Sequence, residues 1–203
     1  MSARIRQPAR NEWYINPLLA VPAPSNILVG RIGKVFWLRV EGRGNFQNSM
    51  QVKRAFQTVM GEGTADLVVD LEHCPMMDST FLGTLTGTAI HLMEQGKGSL
   101  SVLNANPRNQ QLLNDLGLDQ ILHVDVEGTQ WPDERKTVCD ELACCQEKGA
   151  ECKEEQTQLV LNAHRMLSNV SRQNQSRFRD VIHFLEKELI GDAPQPGLAA
   201  ATS

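Results

Sequence analysis

Strand-like and helix-like stretches alternate regularly between residues 26 and 126, and this alternation constrains the fold more than any other feature of the chain. Apolar runs typical of strands lie within a hairpin at 27–41 and at 65–70, 99–103 and 120–124. Segments whose apolar residues recur with the period of a helix lie at 48–60, 79–95 and 107–116. The order β-β-α-β-α-β-α-β predicts an α/β fold, with helices packed against a mixed, mostly parallel sheet.

Local signals set the expected ends of these elements. The hairpin turn is expected at residues 31–33. In its second strand, residues 35–40 predict two apolar faces, with odd-numbered side chains opposite to even-numbered ones. Asn106 is expected to cap the third helix and Gly117 to end it.

Composition narrows the class of protein. The chain has 203 residues, enough for one domain with a buried core and an extension. Its 24 acidic and 20 basic side chains give a net charge of −4, which argues against a general nucleic-acid binder. No run approaches the roughly 18 apolar residues of a membrane span, and no apolar stretch follows the basic N-terminus. We therefore expect a cytoplasmic protein without membrane insertion.

The cysteines predict free thiols. Five are present, and four of them lie between Cys139 and Cys152. An odd number concentrated in one short, helix-like stretch does not suit a disulfide framework. The spacing also lacks the Cys-x-x-Cys pairs of zinc sites, and only His164 lies near in sequence. We therefore expect neither a metal nor a cofactor.

Beyond residue 126 three apolar stripes with helical spacing predict a helical extension over residues 127–190. The stripes are Val138, Leu142 and Cys145; Leu159, Ala163, Met166 and Val170; and Phe178, Ile182, Leu185 and Leu189. Because a short helix is marginal alone in water, we expect these faces to pack on each other, on the domain or in a homodimer. Residues 1–25 predict a loosely ordered arm, and residues 191–203 a disordered tail.

The segment 67–83 carries the chemistry of the chain. A buried strand ends near Asp70, and Asp78, Ser79 and Thr80 open the next helix. At a helix N-terminus, free backbone N–H groups and the helix dipole accommodate negative charge, so a phosphate on a hydroxyl there is tolerated. Two interpretations stay open from the residues alone: Asp78 or Ser79 is simply the helix N-cap, or this turn is a modification site.

The sequence VVDLEHCPMMDSTFLG, residues 68–83, resembles the signature of the STAS domain of bacterial anti-sigma factor antagonists. In that family a strand ending in Asp-Leu is followed by a short loop, an apolar pair and Asp-Ser-Ser/Thr-Gly-Leu-Gly. Asp78, Ser79, Thr80, Leu82 and Gly83 match this pattern, and Phe stands at the first Gly position. The predicted element order also agrees, so the resemblance implies a STAS domain over residues 26–126.

The resemblance implies a binding switch. It implies that a partner kinase phosphorylates Ser79, with Thr80 as the alternative. The implied partner-binding residues are Asp78, Ser79, Thr80, Phe81 and Gly83, and Phe81 is either an exposed contact or a core anchor. The implied partners are an anti-sigma factor that is also a serine kinase and a PP2C-type phosphatase that reverses the modification.

The predicted function is therefore that of an anti-sigma factor antagonist in phosphorylation-controlled partner switching, which regulates transcription. The alternative is an accessory STAS subunit that docks on the ATPase of a lipid-transporting ABC system. An enzyme is not expected, because Ser79 lacks a Gly-x-Ser-x-Gly elbow and no Gly-rich phosphate loop follows a strand.

Two glycines lie within the helix that follows Asp78, although glycine destabilises helices. Gly83 and Gly87 each cost about 1 kcal/mol relative to Ala in a helix. We expect them to allow close packing on the sheet, with contact to a partner as the alternative.

Overall fold

A computed structural model describes residues 26–63, 66–96, 98–145 and 152–191. The predicted arm at 1–25 lies outside these residues, as does the predicted tail apart from residue 191. The strands are β1 (Asn26–Ile32), β2 (Val35–Glu41), β3 (Asp66–Asp70), β4 (Ser99–Leu103), β5 (His123–Asp125) and β6 (Ala143–Cys144). The helices are α1 (Phe46–Gly61), α2 (Ser79–Glu94), α3 (Pro107–Asp115), α4 (Glu134–Glu141), α5 (Lys153–Val170) and α6 (Arg172–Gly191).

The six strands form one mixed sheet in the order β5-β4-β3-β2-β1-β6. Strands β2 to β5 are parallel, and β1 is antiparallel both to β2 and to β6. The pairings Leu38–Val69 and Val69–Val102 place apolar side chains in one row across the sheet. The predicted α/β class and element order through residue 126 are confirmed.

Two element ends differ from the sequence prediction. Ile32 pairs with Val35, so the hairpin turn consists of Gly33 and Lys34 rather than residues 31–33. Gly33 has a φ of 61°, a left-handed conformation that glycine adopts without strain. Residues 118–120 form a short 3-10 helix, which delays the last predicted strand until residue 123.

The two faces of the sheet have separate cores, as the alternation in β2 predicts. Phe36, Leu38 and Val40 lie in the larger cluster, which the apolar sides of α1, α2 and α3 complete. Val35 and Trp37 lie in a smaller cluster on the opposite face. The domain is therefore covered on both faces.

The first predicted stripe of the extension is wrong as a helical stripe. Helix α4 ends at Glu141, and Ala143–Cys144 pairs with β1 instead of continuing the helix. Val138 therefore joins the smaller cluster, whereas Cys145 is buried in the larger one. The edge of β1 offers unpaired backbone N–H and C=O groups. Pairing with them stabilises residues 143–144 more than continuing the helix would.

The other two stripes form the helices α5 and α6, which lie along each other. Arg165 pairs with Glu186 and Lys153 with Glu188, so α6 runs back beside α5. Helix α5 packs on α2, which lies between it and the sheet. Within the described ranges no helix is long and apolar enough to cross a membrane.

Candidate functional site

Asp78 caps α2 and joins the start of this helix to the start of α1. One carboxylate oxygen, Oδ1, accepts a hydrogen bond from the backbone N–H of Phe81 at 2.9 Å. The other, Oδ2, accepts from the N–H of Phe46 at 2.9 Å, and the N–H of Asp78 donates to the carbonyl of Gly44. The N-cap interpretation therefore holds for Asp78, and Ser79 becomes the first residue of the helix.

Ser79 is half-buried, and its hydroxyl contacts a residue of the extension. Ser79 Oγ lies 2.9 Å from Nε2 of His164, and Nδ1 of His164 lies 2.7 Å from the carbonyl oxygen of Val160. Because a carbonyl only accepts, Nδ1 carries the proton, and in the neutral imidazole Nε2 accepts the hydrogen bond from Ser79. The predicted phosphorylation site is therefore partly covered by α5.

The structure buries three of the residues predicted at the partner surface, Thr80, Phe81 and Gly83. The side chain of Thr80 is 5% exposed and that of Phe81 is 0% exposed. The ring of Phe81 belongs to the larger core cluster and lies over Gly44, where an added Cβ would be 2.8 Å from Cδ1 of the ring. Phe81 is therefore the core anchor rather than an exposed contact, and the absent side chain of Gly44 makes room for it.

Gly83 and Gly87 face α5, not the sheet, which corrects the sequence prediction. A Cβ added to Gly83 would lie 2.3 Å from the carbonyl oxygen of Ala163, so the two helix backbones are in direct contact there. A Cβ added to Gly87 would lie 3.3 Å from Cγ of Met166, a flexible side chain. Gly83 is thus required by the docking of α5, and Gly87 only weakly so.

A second cluster of charged residues lies at the carboxyl ends of the strands, under α4. Arg39 Nε and Asn104 Nδ2 each donate to the buried carboxylate of Asp70 at 2.8 Å. Arg135 donates to Asn104 Oδ1 and Asp125 Oδ2, both at 2.8 Å. Burial opposes the charge on Asp125, but backbone N–H donors and Arg135 lower its pKa. Hydrogen bonds from within this chain occupy both carboxylates, and those of Arg135 connect α4 to the ends of β4 and β5.

Among the described residues, no group of three or more His, Cys, Asp or Glu side chains is arranged to hold a metal ion. Cys74 and Cys145 are buried, and Cys144 and Cys152 are exposed. The side chain of Cys139 lies outside the described part of the chain.

His164 is the site residue that the sequence interpretation missed, since it considered this histidine only as a metal ligand. It lies next to Ala163 on the buried face of α5, where it is 6% exposed. A polar residue within an apolar helical stripe was the available signal, because buried polar side chains need a hydrogen-bond partner. Its partner, Ser79, is 85 residues away in the chain.

The family model and the curated relatives match about half of this chain. The family model described as "Mlab, STAS domain" matches residues 28–124. The anti-sigma-B factor antagonist of Staphylococcus aureus is 30% identical over 97 residues, which span 48% of this chain and 88% of that protein. The protein of the same description from Staphylococcus epidermidis is 30% identical over 93 residues, 46% of this chain and 84% of that protein.

A solved structure described as an anti-sigma factor antagonist from Mycobacterium paratuberculosis also matches. Its sequence identity is 19% and its TM-score 0.45, over 60% of this chain and 98% of that chain.

Proposed function

Because this chain belongs to the STAS-domain family of the anti-sigma factor antagonists, we propose that it is a phosphorylation-controlled binding switch. In its unphosphorylated form it binds an anti-sigma factor that is also a serine kinase. Phosphorylation of Ser79 ends the interaction, and a PP2C-type phosphatase restores it. The switch acts in the cytoplasm, as a binding protein rather than an enzyme.

The observation that carries this proposal is the position of Ser79. It is the first residue of α2, directly after the capping Asp78. Its hydroxyl points away from the sheet toward α5, whereas the neighbouring Thr80 and Phe81 are buried. Ser79 is therefore a better phosphoacceptor than the alternative, Thr80.

Electrostatics explain how the modification would end binding. A phosphate adds about −1.5 to −2 charges, which the N-terminus of a helix tolerates within the folded chain. The carboxylate of Asp78 lies beside the new group, so the combined negative charge repels an acidic partner surface. The domain stays folded while the surface it presents changes.

Phosphate mapping is the first test. The purified serine kinase of the native host, identified by pull-down with the full chain, is incubated with this protein and ATP, and peptides are analysed by mass spectrometry. We expect phosphate on Ser79. Phosphate found only outside residues 79–80 contradicts the proposal.

Binding of charge variants is the second test. Ser79→Asp is expected to weaken kinase binding by at least about tenfold, equivalent to about 1.4 kcal/mol. Ser176→Asp is the matched control, because Ser176 is exposed on α6. Equal binding by both variants contradicts the proposed switch. Recovery of an ABC ATPase instead of a kinase supports the alternative, an accessory subunit of a lipid-transporting system.

A further inference from the structure

Helix α5 covers the face of α2 that carries Ser79. The backbone of Gly83 touches that of Ala163, and the Ser79 hydroxyl is hydrogen-bonded to His164. Leu167 lies one turn further along α5 and is fully buried in the larger core cluster, to which Leu82 and Leu85 of α2 also belong. This contact restricts the access of a kinase or another protein to Ser79, which is half-buried.

The covered face of α2 differs in chemistry from the face that packs on the sheet. The sheet side consists of large apolar residues such as Leu82 and Leu85. The side toward α5 consists of glycines and threonines, and the hydroxyls of Thr84 and Thr88 donate to carbonyls of their own helix. On exposure, Thr84 and Thr88 would keep these hydrogen bonds, Ser79 would exchange its bond to His164 for one to water, and little apolar surface would enter water.

The packing of α5 is also incomplete. A groove of about 410 Å³, open to solvent, lies where α5 meets α1 and α2, and its lining includes Lys53, Thr88, His91 and Met166. Water can enter this groove, so this part of the interface buries less apolar surface than a filled core of equal area. The apolar stripe of α5, by contrast, would be exposed on release, and this cost keeps the helix docked by default.

We propose that the helix pair α5–α6 is an intramolecular occupant of the Ser79 face and competes with the protein partner for it. The domain binds its partner, and its kinase phosphorylates Ser79, only in the fraction of molecules in which α5 has left α2. This inference rests on the proposed function for the identity of the competitor. The coverage of Ser79 by α5 does not depend on it.

The accessibility of residue 79 tests the coverage without any partner. In the full chain carrying Ser79→Cys, the rate of alkylation of the introduced thiol by iodoacetamide is measured by peptide mapping. Adding Leu167→Ala is expected to accelerate this reaction at least about tenfold, because deleting buried methyl groups weakens the docking of α5. Leu103→Ala is the matched control, since Leu103 is equally buried in the smaller cluster on the other face of the sheet. Equal rates in the two variants overturn the proposal.

Graded urea keeps the test decisive if Leu167→Ala fails to fold. The Ser79→Cys chain is studied at urea concentrations below the main unfolding transition. We expect the opening that exposes the introduced thiol to cost less free energy than the opening that exposes Cys74. Cys74 is buried in the larger core and reports global unfolding. If both thiols become reactive with the same urea dependence, α5 does not open separately and the proposal is wrong.

The kinase arm then tests competition. Phosphorylation of Ser79 by the purified kinase is expected to be at least about tenfold faster in Leu167→Ala than in Leu103→Ala, because the open fraction limits the rate. Equal phosphorylation rates overturn the competition. Absence of phosphorylation in every variant refutes the proposed function instead, and the alkylation rates still decide whether α5 covers Ser79.

Discussion

Replacing Gly83 by Ala has two opposite effects on the stability of the folded chain. Within α2, Ala is favoured over Gly by about 0.8–1.0 kcal/mol, so the substitution stabilises the helix itself. At the interface, however, the new Cβ would lie 2.3 Å from the carbonyl oxygen of Ala163, and real Cβ contacts are essentially never below 3.0 Å. The backbone of α5 would have to move away from α2 at this contact.

Gly87→Ala separates these effects, because it provides the same helix propensity without the backbone clash. Its Cβ would meet only the flexible Met166 side chain, at 3.3 Å. The difference between the two variants therefore measures the cost of overpacking, about 1–3 kcal/mol. For a chain of this size, each kcal/mol corresponds to about 2–4 °C in melting temperature. Gly83→Ala should melt below Gly87→Ala by about 2–12 °C.

Urea and thermal unfolding of the full chain measure this difference, and hydrogen exchange locates it. We expect faster exchange in Gly83→Ala across α5, with unchanged exchange in β3 and β4, because the clash releases α5 and not the sheet. If Gly83→Ala is as stable as Gly87→Ala and α5 exchanges at the same rate in both, the close approach of α2 and α5 is wrong.

Two further predictions concern single side chains. The hydrogen bond to Glu41 raises the pKa of His73, so its stabilising contribution is present below the unfolded pKa and is lost as the pH rises through the folded one. An NMR titration should show the imidazole pKa falling in Glu41→Gln, and an unchanged pKa would count against the pair. Burial raises the pKa of the Cys74 thiol, so iodoacetamide should modify the exposed Cys152 much faster than Cys74 in the folded chain. Comparable rates for these two cysteines would contradict the buried position of Cys74.

Local sequence signals were sufficient to predict the features that depend on residues within a single element. Asn106 caps α3 through its side chain, which accepts from the N–H of Asn109, and Gly117 ends that helix at a φ of 68°. Asp78 caps α2 in the same way. Capping residues act within one turn of the chain, so the sequence contains everything that determines them. The position of Ser79 at the start of a helix followed directly.

The sequence pattern was misleading where a segment could form either a helix or a strand paired with a distant part of the chain. Val138, Leu142 and Cys145 have helical spacing, yet residues 143–144 pair with β1 as an edge strand. The stability gained from that pairing depends on the position of β1 in the folded sheet. The spacing of three apolar residues carries no information about that position.

The sequence by itself determined the α/β order, the caps and the presence of two amphipathic helices after residue 152. Only the tertiary structure decided what those helices cover. Hydrophobic spacing shows that a face must be buried but not against what, because apolar contact has no direction and many partners satisfy it. The pairing of Ser79 with His164 and the contact of Gly83 with Ala163 arise when α5 packs on α2. Each joins residues about 80 positions apart, beyond the reach of any local pattern.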